Sequence, residues 1–133
     1  MAGRELRPDE QYDGERFADV AFDQAVAGNS LFLDCSLAGV SFSDCNLRKC
    51  RFTDTAMREV RIVGTDLAET GWQDVTLTGA DFTKATCTDV DLRGASLGIA
   101  AGFEALRGTT IDSVQLVTLA PQLANHLGIT VED

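Results

Sequence analysis

The sequence is poor in several of the residues from which active sites are usually built. Among its 133 residues there is one histidine, His126, one tyrosine, one tryptophan and two prolines. Bases are also scarce, 11 Lys and Arg against 21 Asp and Glu, and the net charge is −10. That balance argues against nucleic acid or an anionic membrane as a direct ligand, and for a basic or neutral partner surface. No apolar run approaches the roughly 18 to 20 residues needed to span a bilayer, and the opening MAGRELRPDEQYDGE has no apolar signal region. The chain reads as one soluble, cytoplasmic domain, long enough to bury a core without staples.

Four cysteines are present, but they do not form a zinc knuckle or a disulfide framework. Cys35, Cys45 and Cys50 are separated by multiples of five, no CxxC pair occurs, and the lone histidine is far along the chain. Buried free thiols in a reducing compartment are expected.

What the chain does have is a period of five. Stepping by five from Tyr12 through Phe32, Phe52 and Trp72 to Leu97 visits 18 positions, and all but Ala27 and Cys87 carry a large apolar side chain. A strand repeats every two residues and a helix every 3.6, so neither keeps this set on one face. Two places before each of these residues lies a smaller one, such as Val40, Cys45, Thr55, Val60, Ala80 or Val90. The remaining places hold Asp, Gly, Ser, Thr, Asn and charged residues, which favour turns and solvent. Each pentad is therefore a short extended piece with two inward side chains, followed by a corner. A chain that turns every five residues with the same residue type inside winds as a solenoid, its turns joined at the ~4.8 Å spacing of a β ladder.

Units such as Ala80-Asp81-Phe82-Thr83-Lys84, Val90-Asp91-Leu92-Arg93-Gly94 and Thr65-Asp66-Leu67-Ala68-Glu69 resemble the A(D/N)LXX motif of the pentapeptide-repeat family. The resemblance covers residues 12–97 in unbroken register. It implies an all-β solenoid, a right-handed quadrilateral β-helix with four pentads per turn and about 4–5 coils, closed by a short C-terminal α-helical cap. The expected organisation is a polar N-terminal tail over 1–11, the β-helix over 12–97, an irregular loop or partial last coil over 98–111, and a helical segment over 112–133.

The last segment carries its own signals. Asp112 with Gln115 resembles a capping box, Leu116, Leu119, Leu123 and Leu127 form a helical stripe, and Gly128 suits a stop. Pro121 is expected to break or kink the segment into two pieces. The open end of a solenoid needs a cover, so these leucines and Ile129 are candidates either to cap their own coil or to pair with a second copy. In pentapeptide-repeat proteins that confer quinolone resistance, the corresponding element commonly mediates dimerisation, so the resemblance implies a homodimer.

Catalytic signals are absent from the pattern. His126 stands in no fixed relation to a serine or cysteine, the cysteines occupy core phases, and no phosphate-binding glycine motif appears. A non-enzymatic protein without cofactor or metal is expected. Six of the seven phenylalanines lie in the inward row, leaving only Phe103 as a base-stacking residue, which further disfavours direct nucleic-acid binding.

The acids are more informative. With 20 residues per turn, Asp34, Asp54 and Asp74 stack in a column with Asp91 nearby, and an adjacent face carries Asp66, Glu69 and Asp89. These acidic faces are the candidate partner-binding residues. The family resemblance implies a DNA-mimicking protein that modulates or protects DNA gyrase or topoisomerase IV, in antibiotic resistance or self-immunity. A small protein–protein interaction scaffold with an unrelated partner is the alternative. Two features bear on the choice: a basic cluster, Arg48, Lys49, Arg51, Arg58 and Arg61, sits mid-coil, and residues 15–99 hold 13 acids against 8 bases.

Overall fold

The computed structural model describes residues 5–133; the first four residues of the expected polar tail lie outside them. Every fifth residue from Asp9 to Gly94, 18 positions in all, has a left-handed backbone with φ between +50° and +87°. Each of these corners turns the chain onto the next side. The conformation costs an ordinary side chain energy and costs glycine, asparagine and aspartate less, which is why Gly and Asp dominate the set.

Between corners the chain is extended, and each of its three-residue strands buries only its middle residue. They are β1 (Gln11–Asp13), β2 (Arg16–Ala18), β3 (Ala21–Asp23), β4 (Leu31–Leu33), β5 (Ser36–Ala38), β6 (Ser41–Ser43), β7 (Arg51–Thr53), β8 (Ala56–Arg58) and β9 (Arg61–Val63). There follow β10 (Gly71–Gln73), β11 (Thr76–Asp81), β12 (Val90–Asp91), β13 (Ser96–Ala101) and β14 (Thr109–Thr110). All pairings are parallel, and through the regular coils partners differ by 20 residues: Tyr12, Phe32, Phe52 and Trp72 stand one above another. One side of the rod is the stack β1-β4-β7-β10-β12-β14; β2, β5, β8 and β3, β6, β9 build two more sides, joined where β11 runs around a corner. The fourth side has only isolated bridges, Val26 to Asn46 to Asp66 to Thr86. The chain is thus a four-sided parallel β-solenoid of about five turns, as the period of five requires.

The core is the central row. Tyr12, Phe32, Phe52 and Trp72 stack face to face with centroids 4.7–4.9 Å apart, one ring per coil. The smaller inner row does more than fill space. Cys35 Sγ donates to the Tyr12 carbonyl, Cys45 to Phe22, Cys50 to Ala27, Thr55 Oγ1 to Phe32 and Thr65 to Phe42, always across 23 residues. Thiol and hydroxyl are interchangeable here because both offer a donor on a small side chain.

The aspartate or asparagine of the repeat motif also has a local function. Asn46, Asp66, Asp81 and Asp91 each accept, through Oδ1, the backbone N–H two residues on. These turns occur where the chain rounds a corner without a three-residue strand.

The ends depart from the pattern. At the N-terminus the chain joins the rod before Tyr12: Leu6 is buried, and the Asp9 N–H donates to the Gly28 carbonyl. Beyond Leu97 the stretch expected to be irregular holds the six-residue β13, which pairs with β11 through register shifts, then a 3-10 turn over Phe103–Leu106 and β14. Gly102 makes this detour possible, because a Cβ there would lie 2.3 Å from the Thr83 nitrogen.

The C-terminal segment is one helix, α1 (Ser113–Leu127), opened by the Asp112–Gln115 capping box and closed by left-handed Gly128. The expectation that Pro121 divides it is incorrect. Pro121 lies on the exposed side, and the helix continues past it even though the Val117 carbonyl loses its usual N–H partner.

Candidate functional site: an acidic column and a capped end

Asp34, Asp54 and Asp74 occupy successive left-handed corners along the edge of the β1-β4-β7-β10-β12 side, in the 20-residue register. Their backbones belong to the ladder: the Asp34 N–H donates to the Thr53 carbonyl and that of Asp54 to Gln73. Their carboxylates make no ion pair among the described residues. The corner fixes the backbone and leaves the charge to solvent.

The other four candidate acids are placed differently. Asp91, on the same side, chelates Arg93 through contacts of 2.7 and 2.9 Å, and those hydrogen bonds pull its carboxyl down to about 2. On the neighbouring side Arg48 lies 3.7 Å from Asp66 and 3.8 Å from Glu69. Asp89 is the next corner above Glu69 and lines an open groove with Glu104 and Arg107. The seven acids therefore form one uncompensated column, Asp34, Asp54 and Asp74, and a set largely answered by the chain's own arginines. The spacing of 20 predicts the stacking; the neutralisation depends on how the arginine side chains lie and is not apparent from the period.

The basic cluster wraps the third coil. Lys49 is itself a corner, with Arg48 before it and Arg51 on the next side, and Arg58 and Arg61 flank the opposite corner, Glu59, Arg61 reaching Asp81 at 3.8 Å.

The cysteines are all free and buried. Burial pushes the Cys50 and Cys87 thiols up to about 11 and raises those of Cys35 and Cys45. None is poised as a nucleophile. No group of three or more His, Cys, Asp or Glu converges as a metal site would require, among the described residues. No helix is long and apolar enough to cross a membrane, among the described residues.

At the C-terminal end, Gln115, already the capping-box partner of Asp112, and Gln122, which the sequence pattern did not single out, do what a further coil would do. Gln115 Nε2 donates to the Leu92 and Ala95 carbonyls, at 2.5 and 2.7 Å. Gln122 accepts from the Ile99 N–H at 3.3 Å and donates to the Leu97 carbonyl at 3.4 Å. Of the five candidate cap or dimer residues, Leu119 is buried and Leu123 partly buried against the core, whereas Leu116, Leu127 and Ile129 face solvent beside Val114 and Val117. The expected leucine stripe therefore splits. The inward line is Gln115, Leu119, Gln122 and Leu123.

The family description "Pentapeptide repeat region" matches residues 25–101. No curated protein sequence matches the chain. Among solved structures, HetL, a pentapeptide repeat protein involved in heterocyst differentiation regulation in the cyanobacterium Nostoc sp. strain PCC 7120, is 16% identical over 70% of this chain, with a TM-score of 0.45; this chain spans only 42% of its length. Rfr23 from the cyanobacterium Cyanothece 51142 is 14% identical, covering 77% of this chain and 84% of its own, with a TM-score of 0.40. Trypsin-treated QnrB1, a plasmid-mediated fluoroquinolone resistance protein, is 15% identical over 98% of this chain and 100% of its own, with a TM-score of 0.27. With the repeat matched over more than half its length and carried by the corners, rows and ladders described above, the chain belongs to the pentapeptide-repeat family.

Proposed function

We propose that this is a non-enzymatic binding protein that presents the Asp34–Asp54–Asp74 column to a basic groove on a protein partner, as a mimic of a DNA backbone edge. The partner we assign is a type II topoisomerase, DNA gyrase or topoisomerase IV, which the protein modulates or shields from a poison. One observation carries the reading: three carboxylates recur once per coil, at about 4.8 Å, with no ion pair among the described residues, while Asp66, Glu69 and Asp91 are answered by arginines. A regular row of uncompensated charge is what a DNA-binding groove selects. The topoisomerase assignment comes from the family resemblance. The outer face of α1 suits a homodimer: Val114, Leu116 and Val117 are exposed, and the helix contains no Asp, Glu, Lys or Arg.

The test is gyrase supercoiling and quinolone-induced cleavage, measured with the wild type and with Asp54→Lys/Asp74→Lys, alongside light scattering for mass. Lysine is tolerated at these corners, since Lys49 and Lys84 already occupy two of them. Wild-type protein is expected to inhibit supercoiling or reduce cleavage, and the double variant to lose the effect. A wild type without effect on either assay overturns the topoisomerase reading and points to an unrelated protein partner.

A further inference from the structure

The two halves of α1 are fastened to the rod by unlike means. The first half is held by the partly buried capping box of Asp112, by the buried 2.5 and 2.7 Å bonds of Gln115, and by Leu119, which is 1% exposed. Among the described residues, the second half is held by Leu123, partly buried, the 3.3 and 3.4 Å contacts of Gln122, and a 3.0 Å contact from His126 Nε2 to Glu104 Oε1, with the His126 ring 4.9 Å from Phe103. That last contact lies in solvent, the side chains being 36% and 75% exposed. Pro121 stands between the halves and removes one rung of the helical ladder.

What the second half covers is the free edge of β13, the last strand on its side of the rod, where Gln122 meets the Ile99 N–H and the Leu97 carbonyl. We infer that residues 122–128 form a releasable strap over this edge, hinged at Pro121 and latched by Glu104 and His126, while residues 113–120 stay fixed. Lifting the strap frees two ladder groups in the solenoid register and bares Phe103, without opening the core that Gln115 and Leu119 seal. The latch is strongest with Glu104 ionised and His126 protonated. Hydrogen bonding to His126 already lowers the Glu104 carboxyl. Arg107 and Asp89 are the other charged groups along the groove that Glu104 lines.

Residue-resolved amide hydrogen exchange on the full chain tests this. The amides of 122–128 and the Ile99 amide are expected to exchange together, through one opening easier than that of Thr118, Leu119 and Ala120. Glu104→Gln should speed that set a few-fold and leave 118–120 unchanged, in keeping with the modest strength of an exposed charge contact. Pro121→Ala should bring the two halves towards one protection level. If Ile99 stays as protected as the rest of β13 while the helix end frays, or if Glu104→Gln changes nothing, there is no strap.

Discussion

Gln115 Nε2 lies 2.5 Å from the Leu92 carbonyl oxygen, 23 residues away, the same offset by which Thr55 reaches Phe32 and Cys50 reaches Ala27. A helical side chain thus takes the place that the inner row of another coil would occupy. The second Gln115 bond, to Ala95, spans 20 residues and replaces the next rung of the backbone ladder.

Replacing that side chain should be costly. Gln115→Leu leaves the Ala95 carbonyl buried without a donor, leaves the Leu92 carbonyl with the Ala95 N–H as its one donor, and removes the acceptor for the Asp112 N–H. A loss of about 2 to 4 kcal/mol is expected in urea unfolding. Leu116→Ala, one residue on and exposed, should stay within about 0.5 kcal/mol.

The thiols give a pH signature. Burial raises Cys50 and Cys87 from 9.0 to about 11, so the unfolded chain ionises them first. Their stabilising contribution is whole below pH 9 and is lost as pH rises to about 11. Thermal unfolding across this interval should show a falling midpoint, shallower in Cys50→Thr. At neutral pH a thiol reagent should modify all four cysteines only after unfolding.

The corners separate charge from shape. Asp54→Asn keeps a residue suited to φ +50° and should alter stability by no more than about 0.5 kcal/mol. Asp54→Val puts a β-branched side chain there and should cost about 1 to 2 kcal/mol. Differential scanning calorimetry resolves the two.

Because regular partners differ by 20, duplicating residues 55–74 directly after Asp74 should add a coil without disturbing the cap. A higher midpoint and an unchanged Gln115 environment are expected by NMR, since each added coil contributes its own interfaces.

Much of this was legible because a period of five is a geometric statement. Once Phe32, Phe52 and Trp72 are assigned inward, the corners at 34, 54 and 74 must stack. The repeat motif did not reveal the fate of its acids: Asp66 and Asp91 depend on Arg48 and Arg93, whose reach belongs to side-chain conformation. The C-terminal stripe was legible in part: of the leucines offered to cap the coil or to pair, Leu119 and Leu123 turn inward, but the end of a solenoid also presents unsatisfied carbonyls and N–H groups. Glutamine answers them better than leucine. The signal was available, since 115 is 95 plus 20. Pro121 misled for a related reason: a helix with one side in water tolerates a lost bond that a buried one does not.

The left-handed corner at every fifth residue gives each position an angular address as well as a height. Deleting one pentad would keep every inward residue inward, yet turn all that follows by a quarter revolution. Asp74 would leave the line of Asp34 and Asp54, and α1 would arrive over a different side. Length changes in such a rod are quantised twice, by five for the core and by twenty for whatever surface a partner reads.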